Sequence, residues 1–151
     1  REAAARCADR VPAPAVTIQD PARVHADPER LTAIIEHLIR NAQDASPAEG
    51  QIVLEVRADR RNALLTVTDT GSGMTAEFVR ERLFRPFDST KGSKGMGIGA
   101  YQVREYVRML GGQVEVQSSP GTGTRFSITL PLIQPEAARA AVHAPLERAS
   151  P

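Results

Sequence analysis

The sequence predicts one two-layer sandwich of the α/β (α+β) class, with three helices covering one face of a mixed, mostly antiparallel sheet. Three observations support this prediction. The 151 residues are enough for a single domain with one sizeable core. Apolar residues make up 41% and charged residues 25% of the chain, as is usual for globular domains. Strand-like and helical patterns follow one another in the order β-β-α-β-β-α-loop-α-β-β, which packs helices against a sheet.

Charge and cysteine content exclude several classes of protein. The formal net charge is +1, so no strong field attracts nucleic acid or an anionic membrane. The single cysteine, Cys7, forms no internal disulfide, and we interpret it as a free thiol in a reducing compartment. No apolar run approaches the roughly 20 residues that cross a bilayer. We therefore expect a cytoplasmic domain without direct membrane contact, which is compatible with an inner-membrane anchor elsewhere in a longer protein; the family resemblance described below implies that the isolated domain is a monomer.

The first elements of the chain have clear local signals. The opening residues are polar and Ala-rich, so we assign 1–11 to the end of a preceding segment or linker. The folded domain is expected at 12–133, and a disordered tail rich in Ala, Pro, Glu and Arg at 134–151. Apolar spacing predicts a short strand at 16–18 and another at Val24.

A long helix is predicted next. Asp27 has the side chain of an N-cap, and Pro28 suits the first helical position. The helix is expected to run to about Ala45, because Ser46-Pro47 follows. Its apolar residues recur at helical spacing and predict one buried stripe, formed by Leu31, Ile34, Ile35, Leu38, Ala42 and Ala45.

Alternation, helical spacing and turn residues predict the remaining elements. We expect strands at 51–58, 63–69, 113–118 and 124–130, and helices at 75–83 and 98–110. The stretch 84–97 has no periodicity, and its length is typical of a lid or a binding loop. Gly111-Gly112 ends the last helix.

The first segment with chemical potential lies on the long helix. At about 100° per residue, His37, Asn41 and Asp44 fall within about 60° of one another beside the apolar stripe. An amide oxygen and a carboxylate at this edge can bind Mg²⁺, which prefers oxygen ligands and shares them with phosphate. The alternative is the ordinary polar edge of an amphipathic helix.

The second segment is Asp69-Thr70-Gly71-Ser72-Gly73-Met74, directly after a predicted strand. A carboxylate at a strand end can point into a pocket while glycines turn the backbone sharply. That carboxylate can accept a hydrogen bond from an exocyclic amine such as that of adenine. A plain Asp-Thr-Gly turn is the alternative.

The third segment, 91–99, leads into a helix. Its glycines let the backbone approach a ligand, free amides at a helix start attract phosphate, and Lys91 and Lys94 add positive charge. Gly95-x-Gly97-x-x-Ala100 formally matches the dinucleotide fingerprint, but the required preceding strand is missing. A P-loop is excluded, because no Gly-Lys-Ser/Thr follows. A flexible glycine loop remains the alternative reading.

These segments, together with the turn Gly121-Thr122-Gly123-Thr124, resemble in their order the motifs of the GHKL ATPase/kinase superfamily. They are most similar to the catalytic domain of sensor histidine kinases over about 16–132. In that family's terms, 37–45 resembles the N box, 69–74 the G1 box and 83–87 the F box. Residues 95–99 resemble the G2 box, and 121–124 the G3 turn. Thr90 to Gln102 also resembles sensor kinases of exosortase-associated (PEP-CTERM) systems.

The resemblance implies a GHKL-type fold that binds ATP and Mg²⁺. Asn41 would coordinate Mg²⁺, Asp69 would bond the adenine amine, and Thr124 would reach adenine through water. His37, Asn41 and Lys91 would be the catalytic residues. The implied nucleotide-binding set comprises Asn41, Asp44, Asp69, Gly71, Gly73, Met74, Lys91, Lys94, Gly95, Met96, Gly97, Ile98, Gly99 and Thr124. Phe84 and Phe87 would pack the root of the lid against the core.

The resemblance also implies partners. The γ-phosphoryl group would pass to a histidine on a separate dimerisation domain of the same full-length protein, and then to a response regulator. None of His25, His37 and His143 has the place of that acceptor. His37 stands where gyrase- and chaperone-type members place a water-activating glutamate, which argues against efficient hydrolysis. A GHKL ATPase, an anti-sigma-type serine kinase and a binding module with a degenerate nucleotide site are the alternative functions.

Overall fold

A computed structural model describes residues 1–86 and 99–133. The helices in these residues are α1 (Glu2–Arg6), α2 (Pro28–Ala45), α3 (Ala76–Glu81) and α4 (Ala100–Met109). The strands are β1 (Pro14–Ile18), β2 (Ile52–Ala58), β3 (Asn62–Asp69), β4 (Gln113–Ser119) and β5 (Gly123–Pro131). None of the helices in the described part of the chain is long and apolar enough to cross a membrane.

The five strands form one sheet in the order β1-β2-β3-β5-β4. Only β1 and β2 pair in parallel, and the other three neighbouring pairs are antiparallel. The predicted mixed, mostly antiparallel sheet is therefore confirmed. β3 and β5 are neighbours in the sheet but not along the chain, and the segment between them contains α3, α4 and the edge strand β4.

Alternation along the strands gives the sheet one apolar face. The register aligns Leu54, Val67, Phe126 and Val116 in one row across four strands. The residues next to these along each strand, such as Glu55 and Arg125, point to the opposite and more polar face. The apolar face meets the helices, so the hydrophobic core lies between the two layers.

The long helix α2 forms for the reasons that the sequence indicates. Asp27 is its N-cap, and its side chain accepts a hydrogen bond from the Arg30 amide at 2.7 Å. Pro28 occupies the first turn, where an amide donor is not needed. The helix ends at Ala45 as predicted, and the stripe that includes Leu38 is buried against the sheet.

The helix α4 completes the layer with Val103 and Val107, both fully buried. It starts two residues later than predicted, at Ala100, where the Gly99 amide donates to Gln102 Oε1 at 2.8 Å. It ends before Gly111, whose φ of 78° is the left-handed geometry expected at a helix end.

The predicted strand at Val24 is wrong. Val24 makes only an isolated antiparallel bridge with Leu132, the residue after β5, and forms no strand. The short helix α1 packs against α2 and β1, and Ala3 and Ala4 are buried. Most of the predicted lid and the whole predicted tail lie outside the described residues, in 87–98 and 134–151.

Candidate functional site

One row of the sheet carries polar side chains on the face that is otherwise apolar. Asp69 at the end of β3 pairs with Thr124 on β5, and Thr124 pairs with Ser118 on β4. This row follows directly after the row of Val67 and Phe126, so its side chains point to the same helix-covered face. A strip of three polar groups at the edge of an apolar layer is a feature of ligand sites rather than of cores.

Asp69 is the most constrained of the three. Only 6% of the residue is exposed, and its Oδ1 accepts a hydrogen bond from the Gly71 amide at 2.8 Å. Burial raises the pKa of its carboxyl group, while backbone hydrogen bonds from Gly71 and Thr124 act in the opposite direction. A buried carboxylate that is held by backbone amides can accept a further hydrogen bond from a ligand amine.

Ser118 ties the row to the turn after β3. Its Oγ accepts from the Met74 amide at 2.8 Å and donates to the Gly123 carbonyl at 3.0 Å. The Ser118 and Thr124 hydroxyl oxygens are 2.8 Å apart. Because the single Ser118 proton goes to Gly123, the Thr124 hydroxyl donates to Ser118. Thr124 therefore presents an acceptor lone pair to any further partner, such as a water molecule.

The turn after β3 fits closely against the turn between β4 and β5. Gly73 has a φ of 68°, and a Cβ atom there would lie 2.0 Å from the Ser119 carbonyl oxygen. A Cβ atom at Gly123 would lie 2.0 Å from the Asp69 carbonyl oxygen. Both positions require glycine, because the two backbones approach too closely for any side chain. The contact holds Asp69 and Thr124 side by side.

The other group of predicted residues lies on α2. The Asn41 Nδ2 and His37 Nε2 atoms are 2.9 Å apart, one helical turn from each other. With the amide as donor, His37 Nε2 accepts, and the imidazole proton is then on Nδ1. His37 thus orients the side chain of Asn41. Asp44, one turn further along α2, forms an ion pair with Arg10, with Nη2 and Oδ1 2.8 Å apart.

The two groups meet at the end of α2. The Ser72 amide donates to the Ala45 carbonyl at 3.0 Å, which joins the turn after β3 to the last turn of the helix. Asp44 is therefore adjacent in sequence to a residue that contacts this turn. Asp69, Gly71, Gly73, Met74 and Thr124 are brought together directly, while His37 and Asn41 form a second group on the helix.

The phosphate-loop residues Lys91, Lys94, Gly95, Met96, Gly97 and Ile98 lie outside the described residues, as does Phe87. Of that region the structure describes Gly99, at the start of α4, and the residues up to Pro86. Phe84 is half-buried, and the Arg104 guanidinium lies 4.6 Å from the centre of its ring. Phe84 therefore stacks on α4, as a packing role would require.

Sequence reasoning included Gly123 in the turn 121–124, but it missed Ser118 and Arg10. The pairing register, which places Ser118 beside Thr124, is the signal that identifies Ser118. The described residues contain no cluster of three His, Cys, Asp or Glu side chains with the spacing of a metal site. A Mg²⁺ ion at Asn41 would therefore depend on the phosphate oxygens of the nucleotide for further ligands.

A separate cleft of about 490 Å³ lies at the other ends of α2 and α4, lined by residues that include Asp27, Arg30, Tyr106 and Met109. The Arg30 guanidinium stacks 4.4 Å from the centre of the Tyr106 ring in its wall. Because α4 begins beside the predicted phosphate loop and this cleft is at its C-terminal end, the cleft is distinct from the polar row.

Comparison with known proteins identifies relatives over most of the chain. A model of the family described as histidine kinase-, DNA gyrase B- and HSP90-like ATPases matches residues 26–134. Sensor histidine kinase ZraS of Klebsiella oxytoca is 39% identical over 112 residues, which are 73% of this chain and 24% of that protein. Sensor histidine kinase RcsC of Escherichia coli K12 is 36% identical over 74% of this chain and 12% of its own length. The chain thus spans about a quarter or less of these relatives.

Solved structures with the same fold include sensor histidine kinases. The mycobacterial sensor histidine kinase MprB superposes with a TM-score of 0.67 at 27% identity, over 87% of this chain and 89% of that chain. The catalytic domain of histidine kinase ThkA superposes with the same TM-score of 0.67 over 78% of each chain. At 23% identity, the ThkA likeness supports the fold alone.

Proposed function

Because the chain belongs to the family of histidine kinase-, DNA gyrase B- and HSP90-like ATPases, and is homologous to the catalytic domains of sensor histidine kinases, we propose that it is the ATP-binding catalytic domain of a two-component sensor histidine kinase. One observation carries the proposal: the polar row in which Asp69 and Thr124 are buried and Ser118, half-buried, lies beside them. Asp69 would accept a hydrogen bond from the adenine amine, and Thr124 would reach the ring through a water molecule.

The phosphates would lie toward α2 and the predicted phosphate loop. Asn41 would hold Mg²⁺, which neutralises phosphate charge when it is bound. His37 would keep the Asn41 amide in one orientation, since the two side chains are hydrogen-bonded. The glycines and lysines of 91–99 would surround the outer phosphates. Catalysis would then consist mainly of positioning and charge neutralisation.

The proposed reaction transfers the γ-phosphoryl group to a histidine on the dimerisation domain of the same full-length protein. An imidazole nitrogen attacks the γ-phosphorus, the bond to the bridging oxygen breaks, and ADP leaves with that electron pair. The imidazole proton is released to solvent. A response-regulator aspartate would accept the group next. We place the domain in the cytoplasm as a monomer, within a kinase of the PEP-CTERM (exosortase-associated) type.

Calorimetric titration with a non-hydrolysable ATP analogue, with and without Mg²⁺, tests the proposal. Wild type should bind saturably, and Asp69→Asn should lose binding because an amide nitrogen replaces one carboxylate acceptor. Asp20→Asn, an exposed carboxyl group near the far end of β2, is the matched control and should bind as wild type does. Absence of binding by folded wild type would reject the proposed function.

A second assay separates the phosphotransferase from the other functions that the sequence leaves open. The full-length protein with labelled ATP should form a phosphoamino acid that acid destroys, as phosphohistidine does. An acid-stable product would indicate a serine kinase. Rapid ADP release without any phosphoprotein would indicate a hydrolytic ATPase, despite His37 at the position of the water-activating glutamate.

A further inference from the structure

The first twelve residues, here called the N-terminal strap, lie along α2, the helix that carries Asn41. The strap contributes Ala3, Ala4 and Cys7 to the same core as Leu38 and Ile39. Cys7 is fully buried, and burial raises the pKa of its thiol, which keeps it protonated. The strap is thus packed onto the domain through apolar contacts.

Gln43 holds the strap by its backbone. Its Nε2 donates to the carbonyl oxygens of Cys7 at 2.9 Å, Arg10 at 3.1 Å and Pro12 at 3.3 Å. Gln43 is only 3% exposed, so these carbonyl groups and the amide satisfy one another away from water. This buried amide is two residues after Asn41 on the same helix.

Two ion pairs flank Gln43. Arg40 bonds Asp9 Oδ1 at 2.9 Å through Nη1 and the Arg6 carbonyl at 2.7 Å through Nη2. The Arg40 guanidinium holds the pKa of Asp9 below its ordinary value. On the other side of Gln43, Arg10 Nη2 lies 2.8 Å from Asp44 Oδ1. The last two turns of α2 therefore hold the strap at three successive points.

We propose that the N-terminal strap is a positioning element of the nucleotide site, with Arg10 acting through Asp44 and Gln43 keeping the strap in place. The inference rests on the proposed function. Asp44 lies on the edge of α2 that carries His37 and Asn41, where a triphosphate would add negative charge. With the strap docked, Arg10 offsets the charge of Asp44. With the strap displaced, Asp44 loses this counter-charge, its repulsion of the phosphates increases and nucleotide affinity falls.

The proposal makes strap docking and nucleotide binding mutually reinforcing. If docking raises the affinity for nucleotide by some factor, nucleotide must favour docking by the same factor. A partner that pulls the strap from α2 would therefore weaken nucleotide binding without touching the pocket.

The test compares the affinity of three variants for a non-hydrolysable ATP analogue with Mg²⁺. Arg10→Ala should bind about two- to fivefold more weakly than wild type, the range expected for a half-exposed ion pair. Arg10→Lys keeps the charge and should bind nearly as wild type does. Arg57→Ala is the matched control and should not change affinity. It breaks an ion pair of the same 2.8 Å length, with Glu55 on the outer face of the sheet.

Hydrogen exchange of the strap amides, measured relative to core amides that report global unfolding, supplies a readout that a purely structural role would not move. In wild type, saturating analogue should slow exchange of residues 1–12 by about the same two- to fivefold. In Gln43→Glu, a carboxylate would face three carbonyl oxygens, so the strap should exchange rapidly and nucleotide affinity should fall. Arg10→Ala should retain the wild-type unfolding midpoint within roughly 2–4 °C.

The outcomes are distinguishable. If wild type binds the analogue, and Arg10→Ala binds it as tightly or more tightly with unchanged strap exchange, the strap proposal alone is overturned. If folded wild type does not bind the analogue, the proposed function is rejected and the strap proposal with it.

Discussion

At the scale of single residues, burial of the Asp69 carboxyl group disfavours its charged form, and this group is the hydrogen-bond acceptor of the proposed adenine site. The carboxyl group is buried at the end of β3, and burial raises its pKa despite two backbone hydrogen bonds. The folded state therefore disfavours the charged form relative to the unfolded chain. Buried carboxyl groups with a perturbed pKa of this kind occur more often at functional sites than in the rest of a protein.

Asp69→Asn should stabilise the protein at neutral pH, because the neutral amide avoids the cost of burying charge while its Oδ1 still accepts from Gly71. For a carboxyl group with a raised folded pKa, stability is highest below the unfolded pKa and falls as pH rises through the folded pKa. The advantage of Asp69→Asn should therefore be absent in acid and fully present at neutral pH.

Thermal unfolding at a series of pH values measures this advantage. A gain of about 1 kcal/mol at neutral pH would raise the midpoint by roughly 2–4 °C in a domain of this size. A midpoint of Asp69→Asn that equals or falls below that of wild type at neutral pH would contradict the assignment of a buried, disfavoured charge.

Ser118→Ala should destabilise the domain by about 1–3 kcal/mol, because the Met74 amide and the Thr124 hydroxyl both lose their partner. Adenine affinity should fall as well, since Thr124 loses its fixed orientation. Denaturant unfolding and calorimetry measure the two effects. Ser127→Ala, on the outer face of β5, is the control. Equal stabilities of the two variants would show that Ser118 does not organise the row.

At the scale of elements, two turns decide the geometry of the site. The turn after β3 and the turn between β4 and β5 contact each other through backbone atoms at Gly73 and Gly123. The Gly121 amide also donates to the Ser72 carbonyl at 2.7 Å. The mutual fit of the two turns therefore depends on the absence of side chains at Gly73 and Gly123.

A pair of glycine substitutions tests this fit. Gly73 and Gly121 have similar φ values of 68° and 76°, but only Gly73 has a neighbouring atom within 4 Å of an added Cβ. Gly121→Ala should cost about 1–2 kcal/mol from backbone strain alone. Gly73→Ala should cost about 1–3 kcal/mol more, because the turns must separate. Denaturant unfolding compares them, and similar losses in both would mean that the turns do not fit closely in solution.

The elements were predictable where one local signal decides them. The N-cap at Asp27 and the apolar stripe of α2 set that helix, and alternation set β2, β3, β4 and β5. Val24 misled the prediction because an apolar residue between polar ones can form a single bridge as well as belong to a strand. The local pattern of apolar and polar residues does not show whether one bridge between two segments extends into a ladder.

The site was predictable in part, for the same reason. Asp69 and Asn41 could be predicted because they belong to segments whose order along the chain resembles the motifs of a known family. Ser118 and Arg10 become visible only through contacts between distant segments, since Arg10 and Asp44 are 34 positions apart. The spacing of residues in the sequence does not predict an ion pair between such distant positions.

At the scale of the whole molecule, ligand binding and folding should be linked. A nucleotide that contacts β3, β5 and α2 binds only the folded chain and must stabilise it. At an analogue concentration one hundred times the dissociation constant, the gain is about 2.7 kcal/mol. This corresponds to a rise of roughly 5–10 °C in the unfolding midpoint.

Differential scanning calorimetry with and without the analogue measures this rise, and Asp69→Asn should show none at the same concentration. An equal shift in wild type and Asp69→Asn would place the binding site elsewhere in the molecule. The cleft beside Arg30 and Tyr106 would then be the first alternative to test.

The sheet order has a consequence for how this domain can vary. The chain leaves β3 at Asp69 and enters the neighbouring strand β5 at Gly123, so that Asp69 pairs with Thr124. The predicted phosphate loop lies between α3 and α4 in the segment that joins these two strands, so its two ends are fixed by elements outside the polar row. Because closure entropy rises only slowly with length, residues can be added to or removed from the loop at little thermodynamic cost. The length of this loop can thus change while the pairing of Asp69 with Thr124 stays fixed, so a different loop could be grafted here without rebuilding the polar row.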